Sequence, residues 1–195
     1  MRIVPAVTCR NTIAWRRPSG LAAVLCLAVF TAACSSNDKE EAKGPACPKV
    51  GVLADAAQLV QFASTETVSD LVFKAEMVNA AANCKYSSKH VDMALAVQVH
   101  AIRGQAGTSA VYPSRYFVAV VDPQDRILAK EFFSLPIVFE SARQQTVLRD
   151  TVDEVRIPVK NEEAGATYQI IVGFELTPDQ VIYNRVSSGQ SRNGT

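Results

Sequence analysis

Two neighbouring stretches in the first half of the chain alternate between apolar and polar residues. From Val91 to Ile102, one set of alternate positions is apolar throughout, and the stretch from Leu71 to Cys84 alternates in a similar way. Tyr86 to Lys89, between them, has the composition of a turn. Because successive side chains of a strand point to opposite faces of a sheet, this pattern predicts a long β-hairpin with one buried face.

Shorter alternating or β-branched stretches, separated by turn residues, predict the remaining strands. They are Lys49–Ala54, Leu59–Phe62, Tyr116–Val121, Ile127–Phe133, Gln145–Val159 and Tyr168–Leu176. The stretch Gln145–Val159 is predicted to be one bent strand or two short ones, and Asn161–Ala166 is predicted to be a turn. Asp122 to Asp125 has the composition of a turn, and Pro136 confines its segment to a sheet edge or ends a strand there. A succession of short strands with almost no long helical pattern predicts an all-β fold, an immunoglobulin-like or fibronectin-like β-sandwich.

Two short motifs refine the end of this predicted domain. The segment from Ala164 to Tyr168 resembles the corner before a late strand of immunoglobulin-like and fibronectin-type domains. The resemblance implies a hydrogen bond from the Tyr168 hydroxyl to a nearby backbone group. Thr177, Pro178 and Gln180 have the spacing of a helix start, and they predict a short helix that docks on the sandwich or offers its apolar face to a partner. Residues 187–195 are polar and are predicted to be a disordered tail.

The N-terminal region has a different pattern, a basic segment followed by an apolar run. Residues 1–20 contain four arginines and no acidic residue, and the run from Leu21 to Cys34 is apolar or small throughout. This run is shorter than the roughly 20 residues that a transmembrane helix needs. The order of the two segments is typical of a secretory signal peptide, so residues 1–33 are predicted to be one.

The end of the apolar run carries a more specific resemblance. Thr31, Ala32 and Ala33 directly precede Cys34, and this resembles the lipobox of bacterial lipoproteins, although Thr31 stands where such proteins usually have leucine. The resemblance implies cleavage before Cys34, a diacylglyceryl group on the Cys34 thiol, and acylation of the new N-terminus. The alternative is an ordinary signal peptide, cut after Ala33 to release a soluble periplasmic protein.

Residues 34–46 are polar and charged, so we expect a flexible tether that holds the domain away from the membrane. Ser35 follows the cysteine where a retention signal for the inner membrane, often aspartate, would stand. By resemblance to enterobacterial sorting, we expect a lipid-anchored protein of the outer membrane that faces the periplasm. Residues 47–186 then form a single domain.

Charge narrows the classes of partner. All 19 acidic residues, but only sixteen of the 20 basic ones, lie from Cys34 onward, so the mature chain has a formal net charge of −3. Domains that bind nucleic acid are usually basic, so we expect no nucleic-acid partner. The membrane, through the lipid on Cys34, and another envelope protein remain as candidate partners.

Cysteine usage is consistent with an oxidising compartment. Cys9 and Cys26 leave with the signal peptide and Cys34 carries lipid, which leaves Cys47 and Cys84. This pair predicts one disulfide. The alternative, two ligands of a metal site, is disfavoured because the chain has no C-x-x-C pair and only two histidines. We therefore expect no metal and no cofactor.

Candidate catalytic groups are few. On a straight strand His90 and His100 would stand roughly 33 Å apart, at about 3.3 Å per residue, so they cannot bind one ion. His90 and Asp92 would lie on one face about 7 Å apart, and a solvated surface pair is the preferred interpretation. Asp153 and Glu154 point to opposite faces of their strand. No nucleophile elbow, phosphate loop or calcium-loop pattern is present.

Several segments together resemble a family of uncharacterised lipoproteins from alphaproteobacteria. They are Cys47–Asp55, Tyr116–Pro123, Ile127–Lys130 and Val172–Gln180, followed by Tyr183–Arg185. The resemblance implies an envelope location and this fold, and it implies no activity. Two functions follow: a non-enzymatic envelope component that binds or assembles other proteins, or a hydrolase of cell-wall or lipid material. The lack of a recognisable catalytic pattern favours the first, with strand addition at an exposed edge near Pro136 as its mode of binding.

Overall fold

The computed structural model describes residues 45–140 and 143–192 of the 195-residue chain. Within them the strands are β1 (Lys49–Val52), β2 (Gln58–Phe62), β3 (Leu71–Tyr86), β4 (His90–Arg103), β5 (Val111–Tyr112), β6 (Arg115–Val121), β7 (Ile127–Ser134), β8 (Ile137–Val138), β9 (Gln145–Pro158) and β10 (Gln169–Phe174). The helices are α1 (Glu162–Gly165), α2 (Pro178–Arg192) and a 3₁₀ turn at Ala54–Ala56. The predicted signal peptide, Cys34 and nearly all of the tether lie outside the described residues.

Eight of the strands form two sheets that pack face to face. The first sheet has the order β1-β10-β6-β7, and the second has the order β2-β3-β4-β9. Neighbouring strands are antiparallel, except that β1 and β10 are parallel. The short strands β5 and β8 form a separate two-stranded ribbon. This mostly β sandwich with a C-terminal helix confirms the predicted fold class.

The predicted hairpin, β3 and β4, supplies one wall of the core. The side chains of the apolar row of β4 are all buried, as the alternation predicts: Val91, Met93, Leu95, Val97 and Val99. The facing wall comes from alternate residues of β6 and β10: Tyr116, Val118, Val120, Ile170, Val172 and Phe174. The core therefore lies between the two sheets, because each contributes the apolar half of its alternating strands.

Two segments after the hairpin settle open points of the prediction. The stretch from Gln145 is one strand, β9, whose pairing with β4 shifts register between Met93 and Leu95. The predicted turn near residue 163 contains the one-turn helix α1, where the Asn161 side chain accepts a hydrogen bond of 2.9 Å from the Ala164 backbone N–H. The asparagine cap fixes the first turn of α1, between β9 and β10.

A tyrosine does bond the backbone near this corner, but it is Tyr86. Its hydroxyl donates a hydrogen bond of 2.6 Å to the Ala46 carbonyl. Its ring packs on Gly165, where a Cβ atom would lie only 2.5 Å from the ring. Within residues 45–140 and 143–192 the Tyr168 hydroxyl makes no hydrogen bond, so the bond that the corner resemblance implies is absent from this part of the chain.

Helix α2 begins as predicted and ends later. Thr177 and Gln180 exchange capping bonds, of 2.9 Å from the Thr177 N–H and 3.3 Å from the Gln180 N–H. Asn184 Nδ2 donates to the carbonyls of Asp55 and Gln58 at 2.9 and 2.8 Å, which fastens the helix to the end of the sandwich. Residues 187–192, which the sequence predicts to be disordered, are helical. Their polar composition suggested disorder, but they continue a helix that is anchored one turn earlier.

Candidate interaction site

The predicted disulfide is present between Cys47 and Cys84, with a Cα–Cα separation of 5.8 Å. Cys47 lies just before β1 of the first sheet, and Cys84 lies near the end of β3 in the second sheet. The bond therefore connects the two sheets at one end of the sandwich. Cys34, the predicted lipidation site, lies outside the described residues.

The predicted surface pair of His90 and Asp92 is close. His90 Nε2 lies 3.1 Å from Asp92 Oδ2, and Arg156 Nε on β9 donates to Asp92 Oδ1 at 2.7 Å. The Arg156 hydrogen bond is the main reason why the pKa of Asp92 is held below its ordinary value. The Asp92 carboxylate is thus shared between an arginine and an imidazole on the partly exposed outer face of the second sheet.

Ser87 lies beside this pair, but it is not arranged as an activated nucleophile. The Ser87 hydroxyl oxygen is 3.0 Å from His90 Nδ1 and 3.2 Å from Nε2. An oxygen nearly equidistant from both ring nitrogens cannot lie along the lone pair of either, so the imidazole is badly oriented to accept the hydroxyl proton. Ser87, His90 and Asp92 have the composition of a catalytic triad without its directed hydrogen bonds.

The other candidate residues are dispersed. His100 lies toward the opposite end of β4, where its Nε2 is 2.9 Å from Gln98 Nε2. Glu154 pairs with Arg156 at 2.6 Å rather than with Asp153. In the described part of the chain, no group of three or more His, Cys, Asp or Glu side chains is placed to hold a metal ion.

The first sheet ends in an open edge at β7. Ile127, Leu128 and Phe132 are 63%, 50% and 42% exposed, although they belong to an eight-residue strand of a four-stranded sheet. One side of β7 pairs with β6, and the other side pairs with no strand among the described residues. Such an edge presents a row of free backbone donors and acceptors.

The remaining sheet edges are shorter or protected. β1 has only four residues, and β2 has five and carries helix α2, whose Gln180 side chain donates to the Val60 carbonyl at 3.3 Å. β9 has a register shift in its middle and ends in Pro158, and its Asp150 points inward, whereas the register shift of β7 lies near its first residue. Bulges, prolines and inward charges are common ways to prevent pairing at an edge. Within the described residues, β7 is the longest edge free of proline.

The free backbone groups of β7 can be assigned from the pairing of its hairpin. Leu135 donates to the Ser114 carbonyl at 3.0 Å, and Phe139 donates to the Ala110 carbonyl at 2.8 Å. Both bonds continue the register of the β6–β7 pairs from Ala129 to Ser134, and the register shifts only between Ala129 and Ile127. Because bonded and non-bonded pairs alternate in antiparallel strands, the N–H groups of Lys130, Phe132 and Ser134 point away from β6. These three donors face the open edge.

Two prolines mark where this edge stops. The register places Pro113 directly opposite Pro136, between the pairs of β6–β7 and those of β5–β8. The position is a non-bonded pair, so the prolines remove no hydrogen bond inside the hairpin. Pro136 instead removes the outward N–H that would continue the edge. The predicted edge near Pro136 is therefore β7 itself, and the proline is its boundary.

Cations and aromatic rings cover the outer face of β7. Lys130 Nζ lies 4.1 Å from the centre of the Phe117 ring and 5.1 Å from that of Phe132. The Arg115 guanidinium lies 5.0 Å from the Phe132 ring on the other side. Cation–π contacts of this kind hold the long side chains flat on the sheet. Phe132 remains exposed between the two cations.

A cleft opens on the inner face of β7, between this strand and β9. It has a volume of about 90 Å³. Its lining is apolar at the base and charged at the rim: Val118, Val120, Ala129, Glu131, Phe133, Glu154, Val155 and Arg156. The volume is about three times the share of one water in the liquid, roughly 30 Å³, so the cleft admits a small aliphatic group.

Comparison with known proteins gives no match: no protein-family model, no curated protein and no solved structure is similar to this chain at a significant level. Among the described residues, no helix is both long and apolar enough to cross a membrane. The open edge of β7, flanked by its cation-covered face and the cleft, is therefore the candidate site on geometric grounds.

Proposed function

We propose that this chain is a lipid-anchored envelope protein without enzymatic activity, which binds another envelope protein by accepting a strand from it at β7. The observation that carries the proposal is the open edge with outward N–H groups at Lys130, Phe132 and Ser134. Strand addition gains affinity from main-chain hydrogen bonds, and neighbouring side chains supply specificity. The basic N-terminus, the apolar run and Cys34 support the proposed lipid-anchored location in the envelope.

A second copy of the chain is a poor occupant of this edge. Two copies related by a two-fold axis would pair their β7 strands antiparallel, and side chains on the same face of the sheet would then lie opposite each other. In one of the two longest registers of this kind, Lys130 lies opposite Lys130 of the other copy. In the second, Glu131 lies opposite Glu131 of the other copy. Like charges directly opposite one another destabilise a sheet. The two charges at the middle of β7 thus discourage self-pairing and leave the edge to a different partner.

The alternative, an envelope hydrolase, is favoured only by the proximity of Ser87, His90 and Asp92. A fluorophosphonate probe tests it, because such probes label serine hydroxyls activated by a base. Labelling of wild type that is lost in both Ser87→Ala and His90→Ala would support the hydrolase and contradict our proposal. We expect no labelling of Ser87.

The anchor is tested separately from the binding. Intact mass and membrane fractionation are compared between wild type and Cys34→Ala. We expect a multi-acyl mass and sedimentation with the envelope for wild type, and neither for the variant. An unmodified Cys34 in a soluble wild-type protein would overturn the lipoprotein part of the proposal.

The binding is tested in intact cells with a photocrosslinker. Benzoylphenylalanine replaces Phe132 on β7 or, as the control, Val78, a similarly exposed residue of β3. We expect one discrete adduct from position 132 and none from position 78. An adduct at 132 alone does not prove strand addition, so the backbone donor is tested next.

Two substitutions test the outward backbone N–H of Lys130. They are Lys130→Pro and Lys130→Ala, each made in the protein that carries benzoylphenylalanine at position 132. Both lose the charge, but only proline removes the outward N–H, and at this non-bonded position it breaks no bond to β6. We expect the adduct to disappear in the proline variant and to persist in the alanine variant. Matching thermal transitions would show that both fold. An adduct that persists in both would overturn strand addition at β7.

A further inference from the structure

We infer that the partner segment is an extended strand whose inward row carries aliphatic side chains around a lysine or arginine. This inference rests on the proposed function, since it describes what the β7 edge accepts. It follows from the cleft between β7 and β9 and from the charges around that cleft. The partner side chains of this row would face inward, beside Ala129, Glu131 and Phe133.

The shape of the cleft favours aliphatic side chains. A strand added beyond β7 extends the first sheet, so every second side chain points to the side of the cleft. The base of the cleft is formed by Val118, Val120, Ala129 and Val155, and the cleft above them has a volume of about 90 Å³. A valine or similar side chain from the partner would cover this apolar surface and remove it from water.

The charge of the rim favours a cation. Glu131 and Glu154 line it, and Asp150 lies farther along β9. Arg156 is the one cation of the lining, and it already bonds Asp92 at 2.7 Å and Glu154 at 2.6 Å. Glu131 has no ion-pair partner within the part of the chain that the structure describes. A partner lysine or arginine next to Glu131 would supply the missing positive charge.

The outer face of β7 fixes which row points inward. Lys130 and Arg115 lie there on the Phe117 and Phe132 rings. A partner strand that slipped by one residue would move its basic side chain to this face, beside Lys130. Opposite charges across strands are favourable and like charges are unfavourable, so the two faces of β7 select one register.

The probe is a short end-capped peptide with threonine at every second position. The positions between the threonines are valine, lysine and valine, in that order, and they form the inward row. The matched peptide has glutamate in place of the lysine. Each is titrated into the full chain purified in detergent, with fluorescence anisotropy for affinity and amide exchange of residues 127–134 for location. We expect the lysine peptide to bind roughly fivefold or more tightly than the glutamate peptide, with new protection at Lys130, Phe132 and Ser134.

A charge reversal supplies the decisive control. Glu131→Lys is expected to invert the preference between the peptides, whereas Glu76→Lys, on an exposed position of β3, changes the net charge equally and leaves the preference intact. Equal binding of both peptides to β7 would overturn the inferred chemistry and leave strand addition standing. If neither peptide protects β7 while the crosslink from position 132 still forms in cells, the inferred chemistry of the partner strand is overturned, and strand addition at β7 still stands.

A lipid surface is the competing occupant of a face with exposed apolar residues and cations. Vesicles of anionic phospholipid provide the comparison. Binding of the detergent-free Cys34→Ala chain to these vesicles, with loss on Lys130→Ala and no competition from either peptide, would overturn the inference in favour of a membrane contact. We expect no such binding.

Discussion

The hydroxyl of Tyr116 donates a hydrogen bond of 2.9 Å to Oδ2 of Asp150, across the gap between the two sheets. Tyr116 belongs to β6, and its side chain is fully buried. Its ring stacks on Phe133 of β7 with centroids 5.3 Å apart. Asp150 belongs to β9, the edge strand of the other sheet. One polar contact thus connects β6, the strand next to β7, with β9 on the far side of the cleft, at the boundary between the core and the open edge.

Tyr116→Phe is expected to lower the free energy of unfolding by about 1 kcal/mol, because it removes this hydrogen bond and keeps the ring. Urea denaturation measures the change. Asp150→Ala and the double variant complete a cycle, in which the two single effects should not add. Additive effects would mean that the two side chains do not interact in solution.

The same contact makes stability depend on alkaline pH. Burial, together with the hydrogen bond to Asp150, raises the pKa of Tyr116 above its ordinary value of 10.0. The unfolded chain therefore loses this proton at lower pH than the folded chain does, and stability falls as the pH rises above about 10. The stability difference between wild type and Tyr116→Phe should shrink, and then reverse, between about pH 9 and pH 11. Parallel curves would contradict the coupling.

The disulfide is expected to contribute about 2–5 kcal/mol, the usual cost of removing a native disulfide. The double variant Cys47→Ala/Cys84→Ala removes a closure between residues 37 positions apart. Urea denaturation measures the loss. A reducing agent should lower the stability of wild type by a similar amount and leave the double variant unchanged. An effect of the reductant on the double variant would point to another cause.

Asn184 is expected to control the docking of α2. Asn184→Leu leaves the carbonyls of Asp55 and Gln58 without its two hydrogen bonds, at a cost of about 1–3 kcal/mol. We expect faster amide exchange throughout α2 and little change in β4. Val186→Ala, on an exposed position of the same helix, is the control and should change stability by less than about 0.5 kcal/mol. Equal exchange in both variants would contradict this role.

Local pattern predicted more of the fold than of the site. The alternation from Val91 to Val99 determines which residues of β4 are buried, because a strand's two faces follow directly from its sequence. The open edge depends instead on the order of strands in space. The sequence predicts Ile127–Phe133 to be a strand, but nothing in it shows that, among the described residues, β6 would be its one strand neighbour. Helix α2 shows the same limit, since the contacts of Asn184 join positions that are far apart in the chain.

Pro136 is expected to act as the boundary of the pairing edge. Pro136→Val restores an outward N–H between β7 and β8, so the edge continues from Ile127 to Val138 and its exposed apolar side chains become available for pairing. Sedimentation velocity over a range of concentrations should show more self-association than in wild type. Pro113→Val is the matched control, because it lies opposite on the inner strand and adds no donor to the open edge. Both variants should lose roughly 0.4–1 kcal/mol of stability through greater freedom of the unfolded chain, so stability alone cannot account for a difference between them. Equal self-association of the two variants would contradict the role of Pro136 and place the boundary of the edge elsewhere.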